Sequence, residues 1–130
     1  MIIRNGVDMV DIARINKTYN QFYFKFIERI FTEREQHYCT RNNIINFNAL
    51  AKRFAAKEAF AKALGNGIGY LAFRDIEILN DSYNAPYINL TPKILDYIKD
   101  LYGWHNLAVS LSLTDDKDLA LAFVTLYNIN

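Results

Sequence analysis

A single cysteine, two histidines and two prolines leave several common chemistries without residues to run on. Cys39 alone can neither close an internal disulfide nor build a zinc cluster, which points to a reducing, cytoplasmic setting and leaves the thiol as a small packed side chain. His37 and His105 stand in no Ser-His-Asp, Cys-His or zinc spacing, so acyl-enzyme and zinc mechanisms are excluded. Net charge is missing too. Fifteen Lys and Arg against 14 Asp and Glu leave +1, too little to hold a nucleic acid without a local basic patch. The longest strongly apolar stretch, around Leu119 to Val124, is far short of the roughly 18 residues of a membrane span. The opening Ile2 to Asp8 has an early acid and no basic leader, so it reads as a strand rather than a signal peptide.

What is present is a well-punctuated chain of one domain, residues 1–130, with 52% hydrophobic residues and enough length for a single core. Ile2 to Val10 reads as a buried strand that Gly6 opens to a close neighbour. Ile12, Ile15, Tyr19, Phe22, Phe26 and Ile30 recur at helical spacing and predict one amphipathic helix, with Asp11 as its cap. Thr32 to Glu35 forms a capping box for a short helix ending near Arg41. Asn48 is placed to cap an alanine-rich helix over 49–64, which Gly65 stops. Phe73 to Leu79 and Tyr87 to Leu90 predict a hairpin turned at Asp81 to Pro86. Thr91-Pro92 starts a helix that Gly103 ends. Leu107 to Leu113 and Leu119 to Tyr127 are strands joined by the turn Thr114 to Asp118. Grouped rather than alternating elements imply an α+β fold, a largely antiparallel sheet with packed helices. Nine Phe, nine Tyr and one Trp exceed what a core of this size hides easily, and Leu119 to Tyr127 is apolar on both faces, so this strand is expected at an interface.

Three segments could carry chemistry. Lys52 to Lys62 sets four cations against one carboxylate, and Glu58 and Lys62 share a helix face in the favourable acid-first order. Alone, that pair is a solvated contact worth about 0.3–0.5 kcal/mol. A helix otherwise made of Ala and Phe is packed on most sides, however, and a charged ridge in it asks for a purpose. Asp8, at the end of the first strand, suits Mg²⁺, which takes one or two protein carboxylates with water and phosphate oxygens, provided the helix carrying Glu58 packs beside that strand. Gly65, Gly67 and Gly69 follow a helix instead of opening one, which excludes a P-loop or Rossmann element and leaves bare backbone against which a long ligand can lie.

Gly6-Val7-Asp8-Met9-Val10-Asp11-Ile12-Ala13-Arg14-Ile15 resembles the N-terminal signature of the bacterial holo-[acyl-carrier-protein] synthases. Arg53 to Ile68, with Lys57-Glu58-Ala59-Phe60-Ala61-Lys62 at its centre, resembles their second signature, and the likeness runs along the whole chain. The resemblance implies the 4'-phosphopantetheinyl transferase fold and an enzyme that moves the phosphopantetheine arm of coenzyme A to a serine of apo acyl carrier protein with Mg²⁺, releasing 3',5'-ADP. By matching position it assigns the metal to Asp8 and Glu58, catalysis to Glu58 as base and Lys62 at the phosphates, coenzyme A contacts to Arg53, Lys62, Gly65 and Gly67, and carrier-protein contact to Arg14. It further implies a homotrimer with active sites between subunits, working in fatty acid biosynthesis. The chain departs from the family's pattern where Ala108 and Leu113 replace common histidines, and where Asn84-Ala85-Pro86 replaces Gly-Lys-Pro. The alternative is a non-catalytic carrier-protein or nucleotide-binding module of the same fold. A metal-dependent nuclease would want more carboxylates and a wider basic surface.

Overall fold

The computed structural model describes residues 2–22 and 24–130. Its frame is a three-stranded antiparallel sheet in the order β1-β7-β6, built from β1 (Ile3–Asp11), β6 (Leu107–Asp116) and β7 (Leu119–Asn128). Side chains alternate across a strand, so the register aligns Arg4, Gly6, Asp8 and Val10 with Leu126, Val124, Ala122 and Ala120 on one face. The long helix α4 (Phe47–Leu64) lies across that face.

Its approach is unusually close because both surfaces are made of small residues. Ala55, Ala56, Ala59 and Ala63 are buried on the helix, as are Ala120 and Ala122 on β7. A methyl group on Gly6 would run into the Ala59 carbonyl, so only glycine admits the helix backbone here. That contact sets the depth at which the charged ridge of α4 meets β1.

Around this pair stand α1 (Ile12–Phe22), α2 (Phe24–Ile30), α3 (Glu33–Tyr38), the small ladder β2 (Thr40–Arg41) with β3 (Ile44–Ile45), the ladder β4 (Ile78–Asn80) with β5 (Pro86–Ile88), and α5 (Pro92–Tyr102). The α+β architecture and the antiparallel pairing are as the sequence implies. The Asp11 carboxylate accepts the N–H of Ala13 at 2.9 Å, as a cap for α1 should. Thr32 and Glu35 form the reciprocal capping box. Thr91, Pro92 and Gly103 bound α5, and Gly65 ends α4 with φ 74°.

Five boundaries differ from the sequence reading. The stripe expected as one helix over 12–30 is carried by α1 and α2, and Tyr23 between them lies outside the described residues. α3 stops at Tyr38 instead of near Arg41, because Asn42 and Asn43 both take positive φ and turn the chain into the β2–β3 hairpin. Asn46, not Asn48, caps α4 by accepting the Ala49 N–H, while the Asn48 amide donates to Asp115 at 2.8 Å. Phe73–Asp75 is a 3₁₀ turn rather than the start of a strand, closed by the Asp75 carboxylate on the Ala72 N–H. The last hairpin is also tighter than expected, with only Lys117 and Asp118 between paired strands.

Candidate active site

Gly6 brings α4 down on β1, and two residues along the same strand face stands Asp8. On the helix, Glu58 and Lys62 are one turn apart. The Lys62 Nζ donates to Asp8 Oδ1 at 3.0 Å, with the Asp8 side chain only 15% exposed and that of Lys62 56%. Glu58 is half-buried, and its pKa is raised by burial first and by the negative charge of Asp8 second, with Lys62 pulling the other way. Asp8, Glu58 and Lys62, scattered in the sequence, thus form one electrostatic unit of two carboxylates and an ammonium.

This donor set fits a hard divalent ion. Among the described residues no cluster of three or more His, Cys, Asp or Glu exists; a pair of carboxylates, with water and phosphate oxygens completing the shell, is what Mg²⁺ takes. Leu113, one of the two positions departing from the family's histidines, stands in the same sheet row as Ala122 and Asp8. It puts an apolar side chain two strands away from Asp8, with Ala122 between them. Ala108 pairs with Tyr127 on the opposite face of the sheet.

Arg53 lies further towards the N-terminus of α4. The residue is 2% exposed, its guanidinium stacks on the Tyr38 ring at 3.9 Å, and an Nη donates to the Asn80 side-chain oxygen. Its Nε is buried without a partner, an unspent donor of the kind that costs free energy unless a ligand or water takes it up. Arg53 borders a cavity of about 390 Å³ whose wall also includes Lys52, Asn84, Pro86 and Leu113. Leu113 links this cavity to the row containing Asp8. Asn84, with φ 64°, closes the rim: its carbonyl accepts from Asn80 at 3.1 Å and its side chain from the Tyr38 hydroxyl at 3.2 Å. Tyr38 and Asn80 went unnoticed in the sequence because each matters only through Arg53, and no local spacing announces that; Asn84 stood out only as a departure from the family's hairpin pattern.

The glycine loop sits elsewhere. Gly65 packs against the Arg4 guanidinium and Gly67 faces open space, at the C-terminal end of α4 and roughly 18 Å along its axis from Arg53. That helix end carries partial negative charge, so the loop offers bare backbone and not an anion site. Arg14 projects from the first turn of α1 as an exposed cation with Lys17 one turn on.

The chain was compared with known proteins. A family model described as the 4'-phosphopantetheinyl transferase superfamily matches residues 4–124. The holo-[acyl-carrier-protein] synthase of Bartonella bacilliformis is 47% identical, covering 95% of this chain and 94% of that protein. That of Natranaerobius thermophilus is 41% identical, covering 98% and 99%. The crystal structure of the Helicobacter pylori holo-[acyl-carrier-protein] synthase in complex with coenzyme A superposes with a TM-score of 0.80 at 36% identity, covering 95% of this chain and 99% of that one.

Proposed function

The chain belongs to the 4'-phosphopantetheinyl transferase superfamily, and from this premise we propose how it works. It is an enzyme that transfers the 4'-phosphopantetheine arm of coenzyme A to a serine of apo acyl carrier protein. The serine oxygen bonds to the phosphorus that carries the pantetheine arm, the bond from that phosphorus to the bridging oxygen breaks, and 3',5'-ADP leaves.

The observation that carries the mechanism is the Lys62–Asp8 contact beside Glu58. Transfer of a phosphoryl group is mainly positioning and charge neutralisation. Asp8 and Glu58 would hold Mg²⁺, which supplies charge neutralisation at the pyrophosphate. Glu58, whose pKa lies above the ordinary carboxylate range, accepts the serine proton. Lys62 is exposed enough to swing from Asp8 to the phosphate oxygens and balance the charge on the leaving group. Arg53, with its free Nε, binds a phosphate of coenzyme A in the cavity beside Asn80 and Asn84. Gly65 and Gly67, at the negative end of α4, give their bare backbone to the uncharged pantetheine arm. Arg14 meets acidic groups on the carrier protein.

We place the enzyme in the cytoplasm and in fatty acid biosynthesis; no helix among the described residues is long and apolar enough to cross a membrane. The sheet face turned away from α4 exposes Ile3, Val7, Met9, Leu119 and Phe123, which suits burial between copies in a homotrimer. The decisive experiment incubates apo acyl carrier protein, coenzyme A and Mg²⁺ with the enzyme and follows the carrier by mass spectrometry. A gain of one phosphopantetheine, absent without Mg²⁺, is expected; no gain would leave a binding module.

A further inference from the structure

Lys57 stands next to Glu58, yet it points the other way, into the interior. It and Glu35 have no exposed side-chain surface and are 2.8 Å apart. The ammonium spends all three protons: on Glu35 Oε1, on the Phe73 carbonyl at 2.8 Å and on the Ile76 carbonyl at 2.7 Å. Glu35 returns the pattern, since Oε1 also accepts the Thr32 N–H at 2.9 Å and Oε2 the Ile78 N–H at 3.0 Å. Four backbone groups from three segments are thereby fixed to α4 by one pair of side chains.

Stability alone is a poor reason for this arrangement. Burying two charges costs as much as their attraction returns, and apolar residues of similar volume often serve as well. An apolar pair could not, however, set the positions of four backbone groups. Those groups lead directly to the Arg53 cavity. Ile78 opens β4, two residues before Asn80, which holds the Arg53 guanidinium. Thr32 opens α3, whose last residue, Tyr38, forms the ring under that guanidinium. Lys57 itself lies one turn beyond Arg53 on the helix that carries Glu58 and Lys62.

We propose that Lys57 and Glu35 are positioning residues for the transfer reaction: their buried pair fixes β4 and α3 against α4, so that Asn80 and Tyr38 hold Arg53 at a set distance from Glu58. The inference rests on reading Arg53 as a coenzyme A contact. Loosening the pair leaves Glu58 and Lys62 in place on their helix but lets the Arg53 support drift. Coenzyme A binding should therefore suffer before the chemical step or carrier binding does.

Steady-state kinetics on Glu35→Gln, Asn80→Ala and Arg53→Ala test this, at a temperature where melting curves show each variant folded. Ile94→Val, a core change in α5 that touches no hydrogen bond of the pair, is the control for general loosening. The expected result is a rise in KM for coenzyme A of about tenfold or more for Arg53→Ala and severalfold for Glu35→Gln and Asn80→Ala. The KM for the carrier should not move, and Ile94→Val should match the parent. Combining Glu35→Gln with Arg53→Ala should add little to Arg53→Ala alone, as expected for residues acting through one another. Parent-like coenzyme A KM values in Glu35→Gln and Asn80→Ala, with Arg53→Ala impaired, would overturn the positioning role and spare the reading of Arg53. An unimpaired Arg53→Ala would overturn both. If Glu35→Gln does not fold, Glu35→Asp takes its place, since it keeps the charge but draws the carboxylate back from the Thr32 and Ile78 N–H groups; a parent-like coenzyme A KM there would overturn the positioning role.

Discussion

Lys62 Nζ lies 3.0 Å from Asp8 Oδ1, joining a helix to a strand across 54 residues of sequence. The ammonium rests on the carboxylate that Mg²⁺ would use in the proposed site, so cation and metal would compete there until a phosphate took up the lysine. Lys62→Ala should therefore bind Mn²⁺ more tightly than the parent in the absence of coenzyme A, by calorimetry, while turnover falls. Weaker or equal Mn²⁺ binding in the variant would show that Lys62 does not guard the site.

Glu58→Ala should lower Mg²⁺-dependent transfer by roughly 10²–10⁴, the range expected when a positioned acid–base group is lost, and Asp8→Ala should lower it too, by removing a carboxylate proposed to hold the metal. Neither should unfold the protein. Asp8 has one exposed lysine as partner, and Glu58 is half-buried at the edge of the helix. The mass gain on the carrier and a thermal melt read the two effects separately, and parent-like transfer in either variant would remove that residue from the site.

Acid stability has a specific source in Glu77. Burial would raise its pKa, but hydrogen bonds from Thr32, Arg34 and Asn89 outweigh burial and hold it below the ordinary glutamate range. A carboxylate depressed in the folded state stabilises the fold above its unfolded pKa, about 4.3, and that contribution is lost as pH falls through the depressed value. Glu77→Gln should accordingly be less stable than the parent at pH 7, with a smaller gap at pH 3. Urea melts at the two pH values measure it, and a gap independent of pH would refute the assignment.

Legibility in the sequence followed the range of the interaction. The α4 stop at Gly65, the capping box at Thr32 and the strand glycine at position 6 are local signals and read correctly. The choice between Asn46 and Asn48 as the α4 cap was not local: Asp115, 67 residues away, engages Asn48. The site divides in the same way. Glu58 and Lys62 share a face by helical spacing alone, and Asp8 joins them once Gly6 is seen to admit the helix. The surroundings of Arg53 depend on Tyr38 and Asn80, and those depend on a Lys57–Glu35 bond between residues 22 apart with no periodicity to reveal it.

Arg14→Glu should raise KM for the carrier protein and leave KM for coenzyme A nearly unchanged. The side chain is exposed on α1, and in the role proposed for it its charge would act on docking and encounter, not on the phosphates. The carrier effect should shrink with added salt as exposed charges are screened. Equal effects on both substrates would place Arg14 in the transfer site instead.

The outer sheet face sets the last expectation. Val7 pairs with Phe123, and Met9 with Leu121, on the side away from α4; Val7, Met9 and Phe123 remain 49%, 61% and 42% exposed in the single chain. An antiparallel sheet with one solvated face normally alternates apolar and polar residues. Here polar relief comes mainly from Asn5, Thr125, Ser110 and Ser112, so a contiguous apolar strip crosses β1 and β7. Water contact with that strip is unfavourable by about 25 cal/mol per Å², and association of copies removes it. Light scattering at micromolar concentration should give three times 15.1 kDa for the parent. Phe123→Asp adds a charge at the centre of the strip without touching the buried Ala122 and Val124 on the other face, so it should yield a folded species of one-chain mass. If active sites are shared between copies, transfer is lost with assembly even though Asp8, Glu58 and Lys62 are intact. A monomeric parent with full activity would overturn the trimer, and an active monomeric variant would show that each chain carries a complete site.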